Sequence, residues 1–403
     1  MKKTMLPLAI VLGSLSATGP LGTDMYLGAL PAMAADLGST SANLQMTVMS
    51  FFAGFTIGQM FYGPISDKVG RKPVIFVAIA IYLLASLGCM FAASAEQLIA
   101  LRFVQGLGGS IGMVIGAAII RDLYTGHEAA KLMSIVVLVM GVAPILAPLA
   151  GSLILEIADW RVIFAVLAIF AVYCCVLVAT VLPETRMAEL RASAKLSQAT
   201  KWYGHLLISK AFIPYAGALA LVQGGFFAYI GGSPFVLIDV YGLSPLAYAV
   251  VFAANSIGLG IGAQVSVRLL KTYGPRKVVK AAASLYALSA SLLLVSQVSG
   301  LHSLPVVCAL FFVMVASLGA IMPSCNTMAM EAHGAIAGTA AALMGALGFG
   351  AGALGTFLVG AFADGTPLPL YLTITVFALA GMTTVWTSFG ESGAPKIEAA
   401  KAG

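Results

Sequence analysis

Apolar runs recur along the whole chain, separated by short polar breaks. A helix needs about 20 mostly apolar residues to cross roughly 30 Å of hydrocarbon. On that measure the pattern predicts twelve spans, at 6–29, 43–63, 74–94, 97–120, 131–156, 161–182, 211–238, 246–270, 277–297, 303–325, 335–362 and 367–389. The longest polar stretch, 183–210, carries Arg186, Glu189, Arg191, Lys195 and Lys201 and divides the spans six and six. The chain is therefore expected to fold as an N-terminal six-helix bundle (1–182), a linker (183–210) and a C-terminal six-helix bundle with a short tail (211–403). A basic turn after the second span, Gly70-Arg71-Lys72-Pro73, is echoed after the eighth by Gly274-Pro275-Arg276-Lys277. That echo suggests a duplicated six-helix unit and a pseudo-symmetric all-α membrane protein. The opening Lys2-Lys3 resembles the start of a secretory signal, but the apolar run continues to Leu30, too long for one.

Composition agrees. Sixty per cent of the 403 residues are hydrophobic and 9% are charged, against about 25% charged in a soluble domain, so no water-facing surface can be built. The net charge of +6 would raise the question of nucleic acid in a soluble protein. Here the basic residues sit in short loops. With the N-terminus cytoplasmic, 19 of the 21 Lys and Arg residues fall on the cytoplasmic side, all but Arg102 and Arg161. This is the bias of the positive-inside rule, and it places both termini in the cytoplasm. The five cysteines (Cys89, Cys174, Cys175, Cys308, Cys325) lie inside apolar runs with no CxxC pair and read as buried thiols. The four histidines are scattered in or near loops. No metal site is expected, and no cofactor. The glycine-rich runs 106–112 and 348–355 lie within spans, where small residues let helices pack; a nucleotide loop needs a preceding strand and a water-exposed helix start.

Four motifs carry chemistry. Gly63-Pro64-Ile65-Ser66-Asp67-Lys68-Val69-Gly70-Arg71-Lys72-Pro73 reads as a tight turn, with Gly70 free to adopt a backbone closed to other residues and Asp67 able to accept from basic groups or a helix start. Arg102-Phe103-Val104-Gln105-Gly106 puts an arginine inside a span, which is costly and needs partners, unless it lies near enough to the surface to snorkel. Gly141-Val142-Ala143-Pro144, with Pro148 and Gly151, reads as a kinked, closely packed helix. Asp24-Met25-Tyr26-Leu27-Gly28-Ala29-Leu30-Pro31 sets the one acid well within an N-terminal span.

These motifs resemble those of the major facilitator superfamily. The first is similar to its signature loop at every defining position; the resemblance implies a cytoplasmic latch of Asp67, Gly70 and Arg71, with Asp122 as partner. The second and third resemble its RxxQG motif and its exporter-associated helix-5 motif, carried here by Gly141, Pro144, Pro148 and Gly151. The fourth, with Arg121-Asp122-Leu123-Tyr124, resembles the Bcr/CflA-type drug exporters, except that Gly28 stands where that group has proline. The resemblance is strong in the N-terminal half and weak in the C-terminal half. It implies a twelve-helix drug/proton antiporter of the bacterial inner membrane, acting as a monomer on small amphipathic antimicrobials.

A carboxylate in an apolar cavity resists ionisation, whereas a nearby guanidinium favours its charged form. Asp24 and Arg102 are thus the expected proton-coupling and substrate pair. Tyr26, Gln105, Gln223, Phe226, Phe227, Tyr229 and Asn255 are the expected cavity residues. An exporter of sugars or other metabolites on the same fold remains the alternative. A channel would need neither paired halves nor a latch, and an intramembrane enzyme would lack a buried general base.

Overall fold

The computed structural model describes residues 5–193 and 196–389. Lys2, Lys3, Lys195, Lys396 and Lys401, all used in the orientation argument, lie outside the described residues, as does most of the C-terminal tail. Among the described residues every regular element is helical.

The first crossing is broken: α1 (Met5–Asp24), a 3-10 turn (Leu27–Ala29) and α2 (Leu30–Asp36), the last opening on a proline in its first turn. It runs seven residues beyond the predicted end at 29. Then come α3 (Ser41–Val69), α4 (Arg71–Met90), the fourth crossing split at Ser110 into α5 (Ala95–Gly109) and α6 (Ile111–Leu123), α7 (Gly126–Ile157) and α8 (Arg161–Thr180). The stretch read as a linker carries two helices, α9 (Ala188–Ser193) and α10 (Leu196–Ile208). The second half holds α11 (Ile213–Pro234), ending in a π-helical turn (Phe235–Val240), then α12 (Pro245–Val298), α13 (Leu304–Glu331), α14 (Ala337–Ala361) and α15 (Leu368–Ser388).

Among the described residues ten helices are long and apolar enough to cross a membrane, yet the chain crosses twelve times. Helix α12 has 54 residues; at 1.5 Å per residue that is about 80 Å, too long for one crossing. It turns back at Gly274, whose φ of 76° is open to glycine. Helix α3 is 29 residues long but less apolar, because Gln45, Thr47, Ser50 and Gln59 occupy its buried face. Large apolar side chains such as Leu84, Leu138 and Ile169 stand exposed. Such a surface is stable only against lipid. Cys89, Cys174 and Cys325 are buried, whereas Cys175 and Cys308 are only partly so.

The two ends differ in charge. One, the basic end, gathers Lys68, Arg71, Lys72, Arg121, Arg186, Arg191 and Arg276; the other, the acidic end, gathers Asp36, Glu96, Glu156, Asp159, Asp239 and Asp364, with Arg161 paired to Asp36 and Asp159.

Candidate functional site

Arg102 lies midway along α5 and is fully buried. It does not snorkel. Its guanidinium stands 4.2 Å from the Tyr26 ring centre, 4.3 Å from Phe51 and 5.9 Å from Phe164. One amino group donates to Gln105 Oε1, and Gln105 Nε2 donates to Ser86 Oγ at 2.8 Å. Gln105 thus orients Arg102 one helical turn away. Nε and the second amino group have no hydrogen-bond partner among the described residues. Each cation–π contact is worth about 0.5–2 kcal/mol, while burying an ion costs several. The cage therefore holds the charge in place without fully compensating it.

Asp24 ends α1 and is 4% exposed. The expected closeness to Arg102 is not realised as an ion pair: the guanidinium is committed to the aromatic cage and Gln105, and Asp24 makes no hydrogen bond with any described residue. Its electrostatic neighbours are instead Tyr229 and Tyr248 in the second half. Tyr229 accepts from Asn255 Nδ2 at 2.7 Å, and Ser233 Oγ lies 3.3 Å from the Tyr248 hydroxyl. Ser233 and Tyr248 were not singled out in the sequence; their spacing, four residues after Tyr229 and seven before Asn255, puts each pair on one helix face.

The other cavity residues sit around an aromatic cluster bridging the halves. Phe227 packs 4.6 Å from Phe52 and 4.8 Å from Phe349, and Phe55 lies 4.3 Å from Phe349. Phe226 packs on Phe227 at 5.5 Å. Gln223 is buried with its carbonyl oxygen unpartnered. The midplane is closed here by the rings themselves.

At the acidic end the halves also meet. Ser41 Oγ donates to Asp239 at 2.9 Å, and Gly28 faces Pro245 and Tyr248. At the basic end a cavity of about 560 Å³ lies between α3, α6 and α14 and is roofed by Gln198, Trp202 and Tyr203 of α10. The Tyr203 hydroxyl donates to the Met60 carbonyl at 2.9 Å. None of the expected midplane residues lines this cavity; Asp67, Arg71, Arg121, Asp122 and Arg186 do.

The latch residues come together there. Arg71 is 3% exposed and bonds Asp67 Oδ1 at 2.9 Å, Asp122 Oδ2 at 3.0 Å and Ser66 Oγ at 2.7 Å. Arg186 reaches Asp67 at 3.5 Å, and Thr185 donates to Asp122 at 3.1 Å. Gly70 has φ 115°, and a Cβ there would come within 2.6 Å of Glu184, so both backbone and space exclude a side chain. Asp67 does not cap the start of α4. Glu184, unnoticed in the sequence, does so, accepting from the Arg71 and Lys72 amides at 2.9 and 3.1 Å. Burial opposes ionisation of Glu184, but the amides of Arg186, Arg71 and Lys72 and the charge of Arg191 outweigh it and hold the carboxyl below its usual range.

The helix-5 motif divides. Gly141 faces open space, and Pro144 is only partly buried. Pro148 and Gly151 are buried. A Cβ on Gly151 would overlap the Met25 carbonyl, so this glycine lets α7 seat directly behind Asp24.

Helices of this length and a lipid-facing belt, with buried charged and polar groups inside and between two six-helix halves, define a polytopic membrane protein of the transporter class. The family profile for the Major Facilitator Superfamily matches residues 12–356. The chain belongs to that superfamily. It is 34% identical to the uncharacterized MFS-type transporter YdgK of Bacillus subtilis (strain 168), covering 94% of each chain. It is 30% identical to a bicyclomycin resistance protein homolog of Haemophilus influenzae, covering 91% of this chain and 92% of that one. Among solved structures, a D-xylose-proton symporter superposes with a TM-score of 0.76 at 17% identity, covering 96% of this chain and 98% of that one, a likeness of fold.

Proposed function

We propose that the protein exports small amphipathic antimicrobials in exchange for protons, by alternating access of two six-helix halves (1–182 and 211–403) joined through 183–210. The drug-resistance name of the Haemophilus relative supports the substrate class. The charge bias supports an inner-membrane orientation with the basic end and both termini in the cytoplasm.

One observation carries the reading: the carboxylate of Asp24 is buried between the halves with no salt-bridge partner among the described residues. A structural acid in such a place would be paired. An unpaired one alternates between neutral and charged forms as access changes. In this reading the structure is the state closed to the outside, with the basic-end cavity facing the cytoplasm. Asp24 releases its proton inward, and substrate enters from the basic-end cavity as the aromatic cluster above it parts, reaching Arg102, whose unpartnered Nε and amino group can donate to a carbonyl or hydroxyl. Outward opening reprotonates Asp24 and displaces the substrate.

The test is flux in proteoliposomes under an imposed pH gradient, across a panel that includes bicyclomycin and chloramphenicol. Wild type should accumulate compound in the lumen against its gradient when the lumen is acidic, and Asp24→Asn should not. Full gradient-driven transport by Asp24→Asn would refute the assignment.

A further inference from the structure

Helix α14, in the second half, lies antiparallel along α3, in the first, and its glycines take the side chains that cross between them. Gly360 faces Met46, Gly350 faces Thr56 and Gly345 faces Gln59. The seam is thus closed from the acidic end down to Gln59 and Gly345. One turn nearer the basic end it parts, and Ala342 of α14 and Gly63 of α3 line the cavity of about 560 Å³. The roof of that cavity reaches the same turn, because Tyr203 donates to the carbonyl of Met60, the residue after Gln59. Gln59 stands at the deep end of the cavity.

A second carboxamide meets α14 beside it. Gln223 of α11 packs on Gly348, three residues from Gly345, hence about 4.5 Å along the axis and on the same side of the helix. A Cβ on Gly345 would overlap Gln59 Oε1, and one on Gly348 would overlap Gln223 Oε1, so both glycines make room for these side chains. Gln59 is 3% exposed and Gln223 is 8% exposed. Neither carboxamide is satisfied among the described residues. Gln59 Nε2 meets only the Met113 sulfur, at 4.0 Å, and a thioether is a weak acceptor. Gln223 Oε1 has no partner. A buried polar group left unpaired is costly, and packing does not account for two of them one turn apart on a single helix.

We propose that Gln59 and Gln223 form a binding subsite for a neutral amide at the inner end of the basic-end cavity. The Gln223 carbonyl accepts from the ligand N–H, and Gln59 Nε2, giving up its sulfur contact, donates to the ligand carbonyl. One amide group bridges the two carboxamides with a bond of about 2.9 Å on each side. The ring cluster begins one turn deeper: Phe55 precedes Gln59 by four residues, Phe227 follows Gln223 by four, and both pack on Phe349. A compound held here has its amide at the carboxamides and its apolar part against the rings.

The ligand group is neutral because the helices that meet here bring no charge to this level. Neither α11 nor α14 has an acidic or basic residue. Those of α3, Asp67 and Lys68, lie two turns nearer the basic end, and Asp67 is paired with Arg71. Arg121 and Asp122 of α6 lie two turns beyond Met113. An ion would lose its water here without a counter-charge, whereas an amide exchanges its water for two matched bonds. Arg102, deeper in, offers donors alone. The acceptor on Gln223 is therefore what separates compounds that carry an N–H from those that carry only a carbonyl.

The inference deepens the export reading and rests on it for the cavity as the route by which substrate enters. Equilibrium binding of tritiated chloramphenicol to the full chain in detergent tests it. The comparison is with the analogue in which an ester oxygen replaces the amide N–H, measured by displacement of the label. Wild type should bind the amide about fivefold more tightly than the ester, the size of one hydrogen bond. Gln223→Met, similar in length but without the acceptor, should weaken amide binding about fivefold and leave ester binding unchanged. Gln59→Met should weaken both compounds to a similar degree. Because each replaces an unsatisfied buried carboxamide by an apolar chain, neither variant should lose thermal stability. Gln297→Met, which removes an unpartnered carbonyl at the far end of α12, should change neither affinity. Equal affinity of wild type for amide and ester, or undiminished amide binding in either glutamine variant, overturns the subsite and leaves the export reading standing. Failure of wild type to bind either chloramphenicol or bicyclomycin, each of them an amide, overturns the substrate class proposed above and the subsite with it.

Discussion

Two buried arginines in the first half are handled in opposite ways. Arg71 meets two carboxylates and a hydroxyl; Arg102 meets three rings and one amide and keeps two donors unused. The first is a finished interaction, in which charge cancels locally and holds helices together. The second is unfinished. A side chain costly to bury and left incompletely satisfied is held for something that arrives and leaves. Burial alone, which is nearly the same for both, does not separate structure from function; the unused donors do.

The comparison sharpens under substitution. The largest effect is expected at Asp24, where Asn should abolish gradient-driven export while protein level and thermal stability stay near wild type. Arg102→Lys comes next. It keeps the charge but loses the planar stacking and the fork of donors, so transport should fall by tenfold or more, on the order of 1.4 kcal/mol in the rate-limiting step, with little loss of stability. Wild-type rates in Arg102→Lys would mean that the cage only packs.

At the latch the signature reverses, with stability suffering before chemistry. Arg71→Ala leaves Asp122 with only the Thr185 hydroxyl and half-exposed Asp67 with only Arg186, costing about 3 kcal/mol, read as a lower unfolding temperature in detergent. Gly70→Ala forces a side chain into a left-handed backbone against Glu184 and should cost about 2 kcal/mol. The smallest effect concerns pH. Glu184 has its carboxyl held below the usual range, so its capping contribution is complete above that range and is lost as pH falls through the lowered value. Thermal stability should therefore decline from pH 6 toward pH 3, and Glu184→Gln should flatten part of that decline.

How far each region could be read in the sequence follows from the same contrast. The latch is local: Asp67, Gly70 and Arg71 lie within one turn, and a basic glycine turn has a recognisable form. Even so, its cap, Glu184, comes from more than a hundred residues away and sits in a stretch read only as linker. The spans were legible because lipid imposes one rule on every helix, and the breaks at Gly274 and after Asp24 fall at residues whose chemistry allows them. The midplane was harder. Asp24 and Arg102 stood out as charges among apolar neighbours, but their separation depended on which rings crowd the guanidinium. Ser233 and Tyr248 carry no charge and gave no signal, because their meaning lies in facing one another across two helices. In the helix-5 motif, Gly151 packs behind Asp24 whereas Gly141 faces open space, a difference no spacing rule supplies.

The most direct measurement is proton release on substrate binding, followed in weakly buffered detergent solution as bicyclomycin or chloramphenicol is added at constant pH. Wild type should release protons in proportion to the sites filled, and Asp24→Asn should bind the same compound with no release. Equal release from both would contradict the account, since the exchanged proton would then reside on some other group.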